Sequence, residues 1–345
     1  ATQTVIGGTL DVATTGTSKV ELFHSTLADP SGYGEGMTYL GSTTAILTVE
    51  SLEIDSVETV SYNVNFEFTT PLVFGVTDWI TATTTDQSGN TSEFSQAERS
   101  VAPTVVVTTA NSGPGSLRGA MLYANAQVTG ASISFAIPGA GPYTIAPLTA
   151  LPTMTKPVVI DGLTQSGATC ANLQIELSGI NTGGSSGIFL SGGSLGSTIR
   201  GLAINRFRFG INITNSTSNT IECNYIGTDI TGMIALGNGD GVGIYSISKN
   251  NVIQNNLISG NTQEGIELYI GTIDSTIIQG NIIGPTATGM ALLSQIGTTA
   301  TRGNSGSGIY ITGPSVRNTF VGGTTASARN IISGNGNGVN IQNSS

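Results

Sequence analysis

A glycine followed by alternating aliphatic residues recurs six times in the second half of the chain, and this repeat limits the fold more than any other feature. It reads GIFL, GINI, GIYSI, GIEL, GIYI and GVNI, starting at Gly187, Gly210, Gly243, Gly265, Gly308 and Gly338. A second phrase runs between these, Thr198-Ile-Arg-Gly-Leu-Ala-Ile, and returns from Thr220, Val252 and Ile277. One unit of about 22 residues with occasional inserted loops accounts for both series.

Short strands, no helical periodicity and glycine or asparagine at each corner predict a parallel β-helix, with each coil stacked about 4.8 Å above the last. Ile199, Ile221, Ile253 and Ile278 then form one interior ladder, and Ile204, Ile226, Ile258 and Ile283 a second. Each fully buried aliphatic contributes roughly 1.5–3 kcal/mol, so the ladders are the core. Asn224, Asn256 and Asn281 align at a corner, where stacked carboxamides hydrogen-bond up the column and satisfy turn backbone. About ten coils are expected over residues 103–345.

Residues 114–126 form the one convincing helix: Leu117, Ala120, Met121 and Ala124 share a face, and Ser112 or Ser116 can cap its start. Lying between a strand at Val105–Thr108 and the coils, it is expected to cap the N-terminal end of the solenoid. No matching cap is evident at the other end, which points to self-association there or to a further covering segment.

Charge separates a different module ahead of the helix. Residues 1–100 hold 13 acidic residues against Lys19 and Arg99, a balance of −11, whereas residues 101–345 hold 8 acidic against 9 basic. A strongly acidic module does not bind nucleic acid by neutralising phosphates, so no nucleic-acid partner is expected. Tyr62, Val64, Phe66 and Phe68 alternate with Ser61, Asn63, Asn65 and Glu67, the pattern of a half-buried antiparallel strand. Similar runs at Thr4–Leu10, Lys19–His24, Ala45–Val49 and Trp79–Thr84, separated by turns such as DPSGYGEG and DQSGN, predict an immunoglobulin-like β-sandwich over residues 1–102. His24 and Trp79 read as packed strand residues rather than as a catalytic base and a sugar platform. The scattered carboxylates read as solvated surface, with calcium possible and no other cofactor implied. No apolar run approaches the roughly 20 residues needed to cross a bilayer.

The phrases TTANSGPGSLRGAMLYANA, ALPTMTKPVVIDGLTQSGA, NYIGTDITGMIALGN and the repeated NxISGN resemble secreted bacterial proteins with right-handed parallel β-helices of the pectate-lyase-like superfamily. DPSGYGEGMTYLGSTT and ITATTTDQSGNTSEFS resemble the immunoglobulin-like module that accompanies those helices. The resemblance implies an all-β fold, right-handed winding and an extracellular or cell-surface location; it implies little about activity, because a fold does not fix a function.

Glycoside hydrolysis needs two carboxyl groups in distinct roles. Residues 103–345 carry Asp161, Asp229, Asp240, Asp274, Glu176, Glu222, Glu264 and Glu267, with no Asp-Asp pair and no histidine, so the hydrolase pattern is read as absent. A lyase or glycan-binding face remains open through Arg206 and Arg208 of NRFRFG, with Asp229, Asp240 and Lys249. Against Asp229, the phrase IGTDITGM recurs as IGPTATGM with Thr286 in its place, which favours a turn role. The loops 227–241 and 284–305 are expected to project on one side, where repeat proteins place recognition. Cys170 and Cys223 are read as a candidate disulfide, two buried thiols being the alternative, and no metal site is expected. These readings favour a non-catalytic extracellular structural or adhesive protein, self-associating head-to-tail into fibres. The alternative is a polysaccharide lyase or glycan-binding protein, with a cell-surface glycan as partner.

Overall fold

The computed structural model describes residues 4–12, 16–26, 31, 33, 36–47, 62–70, 78–96, 98–99, 102–295 and 301–343. The chain divides into two compact units, Ala1–Ala102 and Pro103–Ser345.

In the first unit, Thr4–Val12 pairs antiparallel with Tyr62–Thr70, and a four-stranded antiparallel sheet runs in the order Thr38–Leu47, Gly16–Ser25, Trp79–Thr85, Glu98–Arg99. Both sheets contribute to one core, in which Val20, Leu22 and Ala45 are packed by Ile6, Leu10, Phe66, Phe68 and Ile80. The strand expected at Ala45–Val49 lies further upstream, at Thr38–Leu47, and residues 48–50 fall outside the described residues, as does most of the DPSGYGEG turn. His24 has a partner that strand phase did not reveal: its Nε2 lies 3.1 Å from Asp78 Oδ2.

The second unit is a parallel β-helix. Its first sheet has eight strands, in spatial order Val105–Val106, Ala131–Phe135, Val158–Asp161, Thr198–Arg200, Thr220–Glu222, Val252–Gln254, Ile277–Gln279 and Phe320–Val321. The second has seven, from Tyr143–Ile145 through Leu202–Asn205, Tyr225–Ile226 and Leu257–Ile258 to Ile331–Ile332. The third has six: Ser186–Leu190, Phe209–Thr214, Asp240–Tyr245, Ile266–Tyr269, Ser307–Thr312 and Asn337–Gln342. Among the described residues the longest sheet therefore has eight rungs rather than about ten. Pairing within each sheet is parallel and follows coil order, because each turn of the chain returns to the same edge one rung further on.

The isoleucine ladders fill the interior. Ile160, Ile199, Ile221, Ile253 and Ile278 stand in register along the first sheet, and Ile145, Leu177, Ile204, Ile226, Ile258 and Ile283 along the second, all buried. Leu117, Ala120, Met121 and Ala124 of the helix Leu117–Ala126 join the same core with Val106, Ile133 and Phe135, and the Ser116 hydroxyl accepts the Gly119 N–H at 3.1 Å.

Carboxamide columns hold the corners. Asn256 Oδ1 accepts both the backbone and the side-chain N–H of Asn224, at 3.0 and 3.1 Å, and Asn281 does the same for Asn256. A second column, Asn238, Asn261, Asn304 and Asn335, repeats that geometry at another corner. Each buried carboxamide thereby satisfies turn backbone that water cannot reach. Cys223, whose φ is 54°, occupies the corner before Asn224 and is disulfide-bonded to Cys170 with Cα atoms 5.0 Å apart.

One register differs from the sequence reading. Ile211 pairs with Val242 and Val242 with Ile266, so the third coil's strand phrase starts at Gly241, not Gly243. GVGIY offers two glycine-aliphatic starts two residues apart, and a shift of two leaves every side chain on the same face. Among the described residues no helix is long and apolar enough to cross a membrane.

Candidate functional site

The corrected register assembles an outward-facing strip on the third sheet. Side chains there alternate, with Ile211, Ile213, Val242, Ile244, Ile266 and Leu268 inward and their neighbours outward. One outward column holds Asn212, Gly243, Glu267 and Tyr310; another holds Thr214, Tyr245, Tyr269 and Thr312. At the corner leading into the strands, Phe209 pairs with Asp240, and Glu264 takes the same place on the next rung.

Gly243 determines how the strip is arranged. A Cβ there would lie 2.5 Å from Tyr245 Cε2 and 2.9 Å from its hydroxyl oxygen, so the missing side chain is what lets the Tyr245 ring fold back across the sheet. From that position the Tyr245 hydroxyl donates to Glu267 Oε2. The ring also contacts Phe209 edge-on, centroids 5.7 Å apart, and Tyr269, centroids 6.3 Å apart. Arg208 is exposed, with its guanidinium carbon 5.2 Å from the Phe209 ring centroid.

Three carboxylates of this strip, Asp240, Glu264 and Glu267, lie close enough to influence one another. Asp240 is 4% exposed, and its Oδ1 accepts the Glu264 backbone N–H at 3.0 Å. Burial pushes Asp240 up to about 7; the hydrogen bond from Glu264 N–H opposes this, and the charges of Glu267 and Glu264 add to it. Burial also raises Glu267, while the Tyr245 hydroxyl favours its charged form and the charge of Glu264 disfavours it. The Tyr245 phenol is raised by burial first and then by its bond to Glu267. A buried carboxyl that keeps its proton near neutrality beside a second carboxyl that accepts a hydroxyl hydrogen bond is a pairing suited to proton transfer.

The four residues singled out from sequence do not form one site. Arg208 and Asp240 converge on this strip. Arg206, with φ 61°, turns away: its Nη1 donates to Ser178 Oγ at 3.2 Å and lies 4.0 Å from Glu176 Oε1. Asp229 organises its own loop, accepting the Met233 and Ile234 N–H groups at 3.0 Å and the Thr231 hydroxyl at 2.6 Å. The loops 227–241 and 284–305 do stack, with Ile234 paired to Ser294 and Ala287 N–H donating to Gly232 O at 3.0 Å. They lie over the second sheet, where Ile230 and Ala287 pack on Leu173, Ala203, Tyr225 and Leu257, and residues 296–300 fall outside the described residues. Glu264, Glu267, Tyr245 and Tyr269 were missed by sequence reasoning. Register was the signal that could have found them, since stacking GVGIY on GIEL from Gly241 and Gly265 puts Tyr245 beside Tyr269.

No family model matches the chain, and no curated protein does. Among solved structures, the catalytic domain of a GH87 α-1,3-glucanase in complex with tetrasaccharides is similar at 14% identity and a TM-score of 0.24, covering 90% of this chain and 62% of that one. The Agl-KA catalytic domain is similar at 12% identity and a TM-score of 0.29, covering 96% and 65%, and a GH87 α-1,3-glucanase catalytic domain with nigerose at 15% and 0.23. The chain thus spans less than two thirds of the length of these structures. They are catalytic domains, and this finding runs against the expectation of a non-catalytic structural or adhesive protein, which is withdrawn together with the head-to-tail fibre and the absence of enzyme activity. The physical ground for that expectation, a lack of paired acids, fails independently: the pairs are built across rungs, between residues 24 and 27 positions apart, where no linear motif shows them.

Proposed function

We propose that the second unit binds and hydrolyses a neutral polysaccharide on the outer face of its third sheet. The observation that carries this reading is the meeting of Asp240, Glu264, Glu267 and the Tyr245 hydroxyl beside the rings of Phe209, Tyr245 and Tyr269. Glycoside hydrolysis takes one carboxyl as proton donor and another to activate water or to attack. Asp240 is the donor, because its proton is retained near neutral pH. Glu267 is the base, because its oxygen accepts the Tyr245 hydroxyl, which opposes the rise that burial imposes on it. The exposed edge of Tyr269 and the ring of Tyr245 offer apolar faces for a sugar, with Arg208 at the rim. With Asp240 protonated, Glu264 and Glu267 against one arginine still leave a negative balance that repels a uronate chain, which favours a neutral glycan over the acidic polymers a lyase would need.

The finer fold assignments belong to the same reading. A shared two-sheet core supports an immunoglobulin-like identity for the first unit, and the burial of one face of Leu117–Ala126 against the first rungs supports a capping role. The sequence phrases support right-handed winding, pectate-lyase-like ancestry and an extracellular setting with a cell-surface glycan as partner.

The test is release of reducing ends from a panel of neutral α- and β-glucans, α-1,3-glucan included. Asp240→Asn and Glu267→Gln should each lower the rate by about 10²–10⁴-fold. Undiminished release by both variants, or neither release nor binding across the panel, overturns the proposal.

A further inference from the structure

The outer face of the first sheet carries a polar ladder that ends in a cleft, unconnected with the acid strip. Asp161, Arg200, Glu222, Gln254 and Gln279 stand in register on successive rungs. Arg200 Nη2 lies 2.6 Å from Asp161 Oδ2 and its Nη1 3.6 Å from Glu222 Oε1; Gln254 Nε2 donates to Glu222 Oε2 at 2.9 Å, and Gln279 Nε2 to Gln254 Oε1 at 3.1 Å. Each charge is answered within the column, so its far end is neutral.

The ladder stops because the next rung presents Gly322, which follows Val321, the partner of Ile278. With no side chain there, a cleft of about 250 Å³ opens, lined by Gln254, Asn255, Gln279, Thr325, Ser327 and Ala328. The Gln254 carboxamide is fixed at both ends by the ladder. Among the described residues, the Gln279 carboxamide oxygen and the exposed Asn255 carboxamide have no side-chain hydrogen-bond partner.

We infer that this cleft is a second carbohydrate site, which takes one neutral sugar unit. The lining has no ionisable group, so it offers nothing to an ion, while carboxamides and hydroxyls both donate and accept, as sugar hydroxyls do. Its volume is below the usual range for drug-sized ligands, about 300–1,000 Å³, and suits a single ring. Pre-ordering by the ladder lowers the entropy cost of binding.

Saturation-transfer NMR on the full chain with D-glucose, maltose and cellobiose tests the inference. At least one sugar should show transfer that persists in Asp240→Asn and Glu267→Gln, and Asn255→Ala or Gln279→Ala should weaken it about tenfold, the scale of one or two lost hydrogen bonds. Gln279→Met keeps the side-chain stem and removes only its polar end, and a matching thermal melt shows that the fold is retained. No transfer from any of the three sugars, or transfer lost in Glu267→Gln and kept in Gln279→Met, overturns the inference, and the latter outcome assigns the binding to the acid strip.

Discussion

Two outward faces of the same solenoid stack charged residues on successive rungs, with opposite results. On the first sheet, Asp161, Arg200, Glu222 and Gln254 alternate so that every carboxylate meets a cation or an amide. On the third, Asp240 and Glu264 occupy the same corner on adjacent rungs, with Glu267 close by, and among the described residues no cation pairs with them at ion-pair distance. Stacking at rung spacing magnifies whichever charges the sequence places there. An alternating column ties coils together, whereas in the like-charged one burial first, and the neighbouring carboxylates second, lead Asp240 to hold a proton. Under the proposed function the third sheet is the chemical face, and stability alone would favour the alternating arrangement.

The largest effect that separates the faces is pH dependence. Asp240 rises from its ordinary value to about 7 on folding, so the folded state binds more protons than the unfolded one through this interval. Its contribution is fully present below the unfolded pKa near 4 and is lost as pH rises through 7, at up to about 1.4 kcal/mol per pH unit, or on the order of 2–4 kcal/mol in all. Denaturant unfolding from pH 4 to 8 should show stability falling with pH, and Asp240→Asn should flatten that slope. A wild-type profile that rises across this interval would break the comparison.

Gly243→Ala should come next, at about 1–3 kcal/mol, since its Cβ overlaps the Tyr245 ring. The ring must move and its bond to Glu267 is lost, so glucan hydrolysis should fall while urea unfolding stays cooperative. Unchanged activity would show that Tyr245 does not position Glu267. Tyr269→Ala should weaken glycan affinity by about tenfold with little change in stability, and titration with a soluble glucan would show it. The smallest effect belongs to the alternating face: Arg200 is 39% exposed in its side chain, so Arg200→Met should cost no more than about 1 kcal/mol and leave glucan hydrolysis untouched. A loss of activity in that variant would erase the distinction between the faces.

The isoleucine ladders and the Asn224, Asn256 and Asn281 column were legible because each recurs with its local phrase intact, as TIE-CN, VIQ-NN and IIQ-GN. The second column of Asn238, Asn261, Asn304 and Asn335 was less visible: a glycine precedes each member, but the residues that follow and the spacing between members vary. Asp229 was rightly weighed as a turn former, for its counterpart Thr286 keeps the loop without the charge: the bond from Thr286 N–H to Ala291 O mirrors that from Asp229 N–H to Ile234 O. Asp240 was singled out without its partners. Placing GIYSI on Gly243 set Tyr245 opposite Glu267 instead of Tyr269, and the strip did not appear.

By itself the sequence determined the coil. Alternation fixes which side chains face inward, and glycine and asparagine fix where the chain turns, both through sterics and hydrogen bonds within a few residues. Only the tertiary structure decided which outward residues meet. Adjacent rungs bring together residues 22 to 49 positions apart, as Thr198 with Thr220 and Ile282 with Ile331. A register shift of two residues keeps every side chain on its face, so the hydrophobic pattern tolerates either placement. The choice falls to the whole set of rung-to-rung hydrogen bonds and to ring packing over Gly243, which no local segment contains.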